Sequence, residues 1–369
     1  MKRIKSIAII GTRGVPARYG GFETIAKHSS RNLSLRGFEV YVSCETKLFK
    51  PRLPRDYDGA KLVYFPIIEC IRNFSEPFLY DMLSILYFSF KVDLILMLGC
   101  YFPVSLLIPR LLGRVILVNV DGLEWKRRKF GPFLRILLKR YAGLTSKLAN
   151  QVVVDSTIIG EYYKKNFGVT PAYVPNGVEE IHPIDAIDVA SFNLSKNGYY
   201  LVIARLEPEN NIDIIVDEFR KSKSNKKLVI VGPLLNTDFV NKLLGKEDDR
   251  IIFLGGIYDV MIQRTLRYNC FAYIHGHEVG GANPSLIEAL SCGNILLVLD
   301  NIFNREVAED AAIYFSRIPD DLKKKIDNLE TTQNDLSVKA SMSYSLYKKK
   351  FTVKIMVDLL EKLIRRFGP

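Results

Sequence analysis

Residues 6–37 read SIAIIGTRGVPARYGGFETIAKHSSRNLSLRG. A short apolar run, Ser6–Ile10, leads into a glycine-rich loop, and a helix-like segment from Phe22 to Arg36 follows and stops at Gly37. A buried strand, a loop and an amphipathic helix in this order form the first half of a βαβ unit. The stretch therefore predicts a parallel α/β sheet whose first strand ends at a glycine-rich loop.

The same alternation continues along the chain and restarts once, after the polar stretch Glu179–Gly198. Near-continuous apolar runs of this kind are typical of parallel strands covered on both faces. The runs before the restart are Glu39–Cys44, Lys61–Pro66, Asp93–Leu98, Val115–Val120 and Gln151–Val154, and those after it are Tyr199–Ile203, Lys227–Val231, Arg250–Leu254, Cys270–Ile274 and Ile295–Leu299. Helical patterns at 211–221, 238–244, 259–267 and 284–290 separate the later runs.

The chain of 369 residues suits two α/β domains better than one. We expect Rossmann-like domains at residues 1–180 and 199–345, joined by a linker at 181–198. The amphipathic pattern from Ser341 to Phe367 predicts a C-terminal helix, residues 346–369, that packs back on the first domain.

The bulk composition favours a globular protein with a large core, because 48% of the residues are apolar. The apolar run Ile7–Ile10 is too short for a secretory signal peptide, and we expect none. Charged residues interrupt the hydrophobic zone 78–120, so we read it as strands and helices of a sheet rather than as a membrane span. The five cysteines occur singly, which indicates free thiols in a reducing cytosol, and the four histidines give no convincing zinc set.

The positive charge is concentrated in the first half of the chain. Residues 1–180 carry 27 Lys and Arg against 15 Asp and Glu, whereas residues 181–369 carry 25 of each sign. Such a one-sided field favours an anionic partner, either phosphate-bearing ligands or a membrane with anionic head groups. A solvated surface is the plain alternative. No nucleic-acid motif is recognisable, and we expect no nucleic-acid partner.

The loop after the first strand, Gly11 to Thr24, contains four glycines and two arginines. It lies where a parallel sheet opens at its carboxyl edge, and glycines allow the backbone to approach a ligand closely. The spacing is not that of the dinucleotide fingerprint. We favour a ligand-binding loop over a tight structural turn.

A second motif, Gly280 to Leu290, joins a double glycine to a helix start. Asn283 is a good N-cap and Pro284 a good first helical residue. The free N–H groups of such a helix start attract anions. Glu288 lies one turn further on, where its carboxylate can accept two hydrogen bonds from a ribose diol; a surface or capping glutamate is the alternative.

Two further segments follow strands. In the segment Ala204–Asn211, Arg205 is suited to a diphosphate, and a surface ion pair with Glu207 or Glu209 is its alternative role. In the segment Asn119–Lys129, Asp121 ends a buried strand and is followed by the only tryptophan and four basic residues.

Together these segments resemble glycosyltransferase family 4, over nearly the whole chain. The opening loop and the 280–290 segment are similar to a subgroup that includes bacterial rhamnosyltransferases of surface-polysaccharide synthesis. The resemblance implies the GT-B fold, in which two Rossmann-like domains face across a cleft and a C-terminal helix crosses back to the first. It also implies a retaining enzyme without a bound metal or cofactor. The second domain would hold the nucleotide diphosphate sugar and the first domain the acceptor.

The resemblance assigns roles to individual residues. Arg205 matches the phosphate-binding arginine, Glu288 the ribose-binding glutamate, and Ala282–Ser285 the backbone that meets phosphates and sugar. Gly20 and Gly21 match the glycine turn that closes over the donor. The candidates are therefore catalytic Asp121, Arg205 and Glu288; donor-binding Gly20, Gly21, Arg205, Asn210, Glu278, Gly280, Gly281, Ala282, Asn283, Pro284, Ser285 and Glu288; and acceptor-binding Arg13, Arg18, Tyr19, Glu23, Asp121 and Glu124.

Three positions depart from the family pattern. Asn210 replaces the lysine five residues after the arginine, Gly280 replaces the first glutamate of the pair, and Asp121 replaces a histidine near the reacting sugar. Glu278 is close enough in sequence to substitute for that glutamate. The departures keep two alternatives open, a sugar-nucleotide epimerase of the same fold and a non-catalytic sugar-nucleotide-binding protein.

The resemblance further implies transfer of a rhamnose-type or glucose-type sugar to a lipid-linked glycan, in the assembly of a surface polysaccharide or a glycoprotein glycan. We expect a cytoplasmic protein, peripheral on the inner face of the cell membrane. Arg127, Arg128, Lys129 and Arg135 would contact anionic lipid.

Overall fold

The computed structural model describes residues 4–16, 20–49, 53–66, 76–100, 102–120, 122–127, 130–180, 188–331 and 336–368. The chain forms two compact units, one comprising residues 1–177 with 353–369 and the other residues 178–352. Among the described residues, no helix is both long enough and apolar enough to cross a membrane.

The first unit contains an eight-stranded sheet. Its strands are β1 (Ser6–Ile10), β2 (Glu39–Glu45), β3 (Asp56–Tyr57), β4 (Ala60–Phe65), β5 (Leu94–Leu98), β6 (Val115–Asn119), β7 (Gln151–Val154) and β8 (Ala172–Tyr173). Its helices are α1 (Gly21–Leu35), α2 (Thr46–Phe49), α3 (Glu76–Ser89), α4 (Leu107–Leu111), α5 (Pro132–Leu148) and α6 (Thr157–Phe167). The strand order is β3-β4-β2-β1-β5-β6-β7-β8, and only the pairing of β3 with β4 is antiparallel among these neighbours.

The second unit repeats this architecture around a six-stranded parallel sheet. Its strands are β9 (Tyr199–Ile203), β10 (Lys227–Val231), β11 (Ile251–Gly255), β12 (Ala272–His275), β13 (Leu296–Leu299) and β14 (Ala312–Phe315). Its helices are α7 (Ile212–Lys221), α8 (Asp238–Leu244), α9 (Val260–Asn269), α10 (Pro284–Ser291), α11 (Ile302–Ala308), α12 (Asp321–Thr331) and α13 (Leu336–Lys350). The strand order is β11-β10-β9-β12-β13-β14.

The C-terminal segment differs from the single helix that the sequence pattern predicts. Helix α13 ends at Lys350, and α14 (Val353–Arg365) begins after a break. At the break the Phe351 carbonyl accepts a hydrogen bond from the Val178 N–H at 2.9 Å, and Phe351 is buried. These contacts end the first helix, so residues 346–350 belong to the second unit and only the residues from 353 onward return to the first.

Helix α14 packs within the first unit, as the amphipathic pattern predicts. Its apolar face enters the core beneath the sheet through Met356, Val357, Leu360, Leu363 and Ile364. Arg36, after the end of α1, pairs with Asp358 and with Glu361, each at 2.5 Å. The helix is therefore held by an apolar face and by two ion pairs at its side.

Both sheets change direction beside their first strand. β1 lies between β2 and β5, and β9 lies between β10 and β12. The connections that leave two such neighbouring strands run to opposite sides of the sheet, which opens a crevice at their carboxyl ends. In the second unit the loops after β9 and β12 border this crevice, and they contain Arg205 and the 276–283 segment.

Candidate active site

The start of helix α10 forms the base of the candidate site in the second unit. The Asn283 Oδ1 accepts a hydrogen bond from the Ser285 N–H at 2.9 Å, and Pro284 is the first helical residue. This is the capped helix start that the sequence predicts. Pro284 has no N–H, and the Leu286 and Ile287 N–H groups donate to the Asn283 carbonyl at 3.1 and 3.2 Å. What this end offers an anion is therefore the partial positive charge of the helix dipole.

Ser285 ties this helix to the end of strand β9. Its Oγ lies 3.0 Å from the Ile203 carbonyl oxygen and 2.7 Å from the Tyr273 hydroxyl, which is itself 3.1 Å from the same carbonyl. Arg205 follows Ile203 by two residues. The structure thus joins two segments, 204–211 and 280–290, that are far apart in sequence.

Arg205 is half-exposed at this edge. Its Nη1 lies 3.3 Å from Glu207 Oε1, and 41% of the side chain remains accessible. The alternative role of Arg205, a surface ion pair with Glu207, is therefore present in the structure. An exposed pair of this kind contributes little stability, so Arg205 can exchange its partner for a phosphate at low cost.

Asn210 stands where the family pattern has a lysine, and it is buried. Its Nδ2 donates a hydrogen bond to the Arg205 carbonyl at 2.7 Å, so its Oδ1 is the atom that lies 2.7 Å from His277 Nδ1. A carbonyl oxygen only accepts, so His277 donates from Nδ1 and a neutral ring has its lone pair on Nε2. A Cβ at Gly280 would lie 2.9 Å from that Nε2. His277 thus occupies space beside the position where the family has its first glutamate.

The backbone around His277 is held from several sides. The Gly276 carbonyl accepts a hydrogen bond from Asn211 Nδ2 at 2.7 Å, and the His277 carbonyl accepts from Asn301 Nδ2 at 3.0 Å and from Asn304 Nδ2 at 2.9 Å. A Cβ at Gly276 would lie 2.3 Å from the Asn210 carbonyl oxygen. Only glycine fits at 276, and these hydrogen bonds hold the backbone of the loop in place.

Glu278, the candidate substitute for the missing glutamate, pairs with Arg317 at 2.6 Å. Arg317 follows strand β14, which the sequence pattern did not predict. The carboxylate is therefore neutralised by a neighbouring guanidinium, and any contact it makes with a sugar would be made as an ion pair. Among the described residues, no group of three or more His, Cys, Asp or Glu is arranged to hold a metal ion.

Glu288 forms an ion pair with Arg267 of helix α9. Arg267 is only 1% exposed, whereas the Glu288 side chain is 29% exposed. Burial is the largest single effect on the pKa of Arg267 and would lower it. The Glu288 carboxylate and, to a lesser extent, Tyr273 and two nearby cysteines together outweigh burial and raise this pKa. The sequence analysis did not identify Arg267. The signal in the sequence is that this charged residue stands next to the apolar Leu266, in a helix that precedes a buried strand.

In the first unit, backbone conformation and packing require glycine at two positions of the opening loop. Gly11 has φ +80°, and a Cβ there would lie 2.3 Å from the Leu98 carbonyl oxygen. Gly14 has φ +117°, and a Cβ there would lie 2.7 Å from Cys44 Sγ. Left-handed backbone and close packing therefore account for these two glycines without a ligand.

The end of this loop leads into helix α1. Gly20 has φ +98°, and a Cβ there would lie 2.5 Å from Glu23 Oε2. Gly21 is the first residue of the helix. The Glu23 Oε1 accepts a hydrogen bond from the Arg13 N–H at 3.3 Å, while burial raises the pKa of Glu23. The Arg13 side chain is exposed at the same end of the sheet.

The remaining first-unit candidates divide into two groups. Asp121, Arg18 and Tyr19 lie outside the described residues, as do Arg128 and Lys129. Glu124 is described and pairs with Arg127 at 2.8 Å. Trp125 is buried against Tyr162, Tyr163 and Phe167, so the only tryptophan belongs to the core.

Comparison with protein families assigns each unit separately. Residues 185–348 match the family of glycosyl transferases group 1, and residues 4–179 match a domain of unknown function, DUF1972. The second unit matches group 1 glycosyltransferases over nearly its whole length, so the chain is a glycosyltransferase. The transferase carries the DUF1972 domain at its N-terminal side, and no curated protein matches its sequence.

Solved structures show the fold of this transferase over its full length. HepE from Anabaena in complex with UDP matches with a TM-score of 0.76 at 13% identity, covering 98% of this chain and 100% of that one. Sucrose-phosphate synthase from Thermosynechococcus elongatus matches with 0.79 at 15% identity, covering 98% of each chain. A UDP-forming trehalose-phosphate synthase from Burkholderia vietnamiensis matches with 0.72 at 9% identity, covering 98% and 100%. The GT-B fold predicted from the sequence is confirmed.

Proposed function

We propose that this transferase moves a hexose or deoxyhexose, of glucose or rhamnose type, from a nucleoside diphosphate sugar to a glycan acceptor. The second unit binds the donor and the first unit binds the acceptor. The observation that supports this most directly is the contact of Ser285 with the Ile203 carbonyl, which joins Arg205, the start of α10 and Glu288 in one place. HepE was crystallised with UDP and with UDP-glucose, which makes a uridine nucleotide the first donor to test.

In this proposal the charge that develops on the leaving diphosphate is stabilised by Arg205 and by the positive end of the α10 dipole. Glu288 accepts hydrogen bonds from the ribose hydroxyls. The sugar becomes oxocarbenium-like as its bond to the phosphate breaks. The acceptor hydroxyl attacks the same face and gives its proton to the departing phosphate, so the anomeric configuration is retained. We expect no metal ion in this step, and activity in EDTA tests that expectation.

A panel of nucleotides and nucleotide sugars tests the donor site. A ligand that binds only the folded protein raises its stability, by about 2.7 kcal/mol at a hundred times its dissociation constant. We expect UDP-glucose or a deoxythymidine diphosphate sugar to raise the melting temperature, and nucleoside monophosphates to raise it less. Absence of a shift with every diphosphate at millimolar concentration would reject the donor site. Product analysis with an added glycan acceptor then tests transfer and retention.

We also propose a lipid-linked acceptor and a peripheral position on the cytoplasmic face of an anionic membrane. Helix α5 contains Arg135, Lys139, Arg140 and Lys147 and no acidic residue. Phe133 and Ile136 on α5 are 80% and 57% exposed, and Leu111 of α4 is 85% exposed. Exposed apolar side chains among cations suit the boundary between head groups and acyl chains.

The basic side chains that are exposed for contact with anionic lipid differ from those expected from the sequence. Arg127 is mostly buried and paired with Glu124, and Arg135 donates a hydrogen bond to the Arg127 carbonyl at 3.0 Å. Lys139 and Arg140 are exposed instead. Arg128 and Lys129 lie outside the described residues. Within the described residues, the docking surface is therefore defined by Phe133, Ile136, Lys139 and Arg140 of α5.

A further inference from the structure

We propose that Arg267 is a positioning residue of the nucleotide site, which acts by fixing the Glu288 carboxylate toward the ribose. The proposal rests on the donor site proposed above. Arg267 itself is 1% exposed and has no route to a ligand. Its effect on binding must therefore pass through a residue that it holds.

The guanidinium is held in one orientation by contacts on three sides. Nη2 donates to Glu288 Oε2 and to Ser285 Oγ, the latter at 3.1 Å, while Nη1 donates to Gln263 Oε1 at 3.2 Å. The Tyr273 ring lies 6.0 Å from its central carbon. Two of these partners, Glu288 and Ser285, are candidate donor residues on the same face of α10.

The pair is asymmetric in burial. The arginine is the interior member, and the glutamate lies at the accessible end with 29% of its side chain exposed. Removing Glu288 would leave a fully buried charge without its carboxylate, whereas removing Arg267 would leave a carboxylate that water can reach. A buried ion pair gives little net stability compared with apolar residues of similar volume. The arrangement is thus poorly explained by stability and well explained by the need to hold one carboxylate in place.

The test compares nucleotide affinity in a set of matched variants. Arg267→Met removes the guanidinium and keeps an apolar side chain of similar length; Arg264→Met is the control on the same helix, where the arginine contacts Glu179 at 3.4 Å. Titration calorimetry uses UDP, dTDP and GDP as probes, and chemical unfolding reports stability. We expect Arg267→Met to weaken the best of these nucleotides at least fivefold, and Arg264→Met to change its affinity less than twofold.

A double-variant cycle separates positioning from a general structural role. If Arg267 acts through Glu288, adding Arg267→Met to Glu288→Gln leaves the nucleotide affinity within twofold of that of Glu288→Gln alone. The donor KM should rise with the dissociation constant in Arg267→Met. A folded Arg267→Met protein with wild-type nucleotide affinity would overturn the proposal, as would fully additive losses in the cycle.

A second variant keeps the proposal testable if Arg267→Met does not fold. Arg267→Lys retains the buried charge but has a single donor group in place of the fork. We expect it to fold and to bind the nucleotide several-fold more weakly; wild-type affinity would contradict positioning. The proposed function fails in a different way, through wild-type nucleotide affinity in Glu288→Gln or through no binding of any of the three nucleotides.

Discussion

At the scale of single residues, Arg205 is the simplest test of the donor site. Arg205→Ala should weaken binding of the nucleoside diphosphate by about 1.5–3 kcal/mol, because a charge-assisted contact with phosphate is lost. Stability should change little, since the Arg205–Glu207 ion pair is exposed. Calorimetric titration measures the affinity, and Arg220→Ala is the control because Arg220 is an exposed arginine on α7 with a similar surface ion pair. Equal affinities in Arg205→Ala and the wild type would remove Arg205 from the site.

His275 makes the stability of the second unit depend on pH. Burial lowers its pKa to about 3, with a smaller contribution from His277. An unfolded histidine has a pKa of about 6.5, so unfolding takes up a proton below that pH, and stability falls as the pH drops from about 6.5 toward 3. The loss at pH 5 relative to pH 7 is about 2 kcal/mol. Denaturant unfolding at several pH values measures it.

The control for this prediction is His275→Gln, whose side chain does not titrate in this range. The variant should be less stable at pH 7, because it loses the stacking against Tyr273. Its stability should nevertheless fall less between pH 7 and pH 5 than that of the wild type. Identical pH slopes for the two proteins would show that His275 does not remain neutral in the folded state.

Residue-scale prediction from sequence succeeded where the cause is local. Asn283 and Pro284 define a helix start through contacts within three residues, and the structure has that helix start. Arg267 and His277 were missed because their partners, Glu288 and Asn210, lie 21 and 67 residues away in sequence. Their positions depend on which strands are neighbours, and a pattern read along one chain does not contain that information.

At the scale of elements, α14 offers a measurable contribution to the first unit. Arg36→Met should lower the free energy of unfolding by about 1 kcal/mol, because two partly exposed ion pairs to α14 are lost. Lys354→Met removes only the exposed pair with Asp358 and should cost less. Urea unfolding of the three proteins measures the difference. An equal effect of the two substitutions would mean that the Arg36 pairs hold α14 no better than an ordinary surface contact.

The same ion pairs make the free energy of unfolding of the first unit sensitive to acid. The pKa of Asp358 is lowered, chiefly by its hydrogen bond with Lys354 and then by Arg36. The pKa of Glu361 is also lowered: burial would raise it, but Arg36 and Arg365 together outweigh burial. A carboxylate with a lowered folded pKa stabilises the protein above its unfolded pKa, about 4, and loses that contribution as the pH falls below it. The difference between wild type and Arg36→Met should therefore shrink below about pH 4.

Strands could be predicted from the sequence where burial on both faces of the sheet gave a continuous apolar run. Strands β1, β7, β9 and β10 have the bounds that their apolar runs predict. The two-residue strands β3 and β8 are too short to form a pattern, and β14 is a four-residue edge strand. The break at Phe351 was missed because an apolar residue there fits the helical periodicity, while its carbonyl is taken by Val178 from a distant part of the chain.

At the scale of the whole molecule, the uneven charge gives the membrane proposal its test. Residues 1–180 carry the entire net charge of +12, and the docking surface on α5 combines cations with exposed apolar side chains. Each cation near an anionic bilayer contributes about 1 kcal/mol, and salt weakens that term. Lys139→Glu with Arg140→Glu should therefore reduce binding to vesicles of phosphatidylglycerol and phosphatidylcholine strongly. Sedimentation of vesicles with bound protein measures it.

The controls separate a docking surface from a general effect of charge or hydrophobicity. Lys324→Glu with Lys349→Glu makes the same change in net charge at exposed positions of the second unit, and it should leave vesicle binding nearly unchanged.

Phe133→Ser with Ile136→Ser should weaken binding even at high salt, because burial of exposed apolar area does not depend on ionic strength. Ile302→Ser with Ile318→Ser, both exposed in the second unit, is the matched control. If both control pairs reduce binding as much as the α5 pairs do, the attraction is unspecific and α5 is not the docking surface. If the α5 variants keep vesicle binding but lose transfer to a short water-soluble acceptor, α5 belongs to the acceptor site instead.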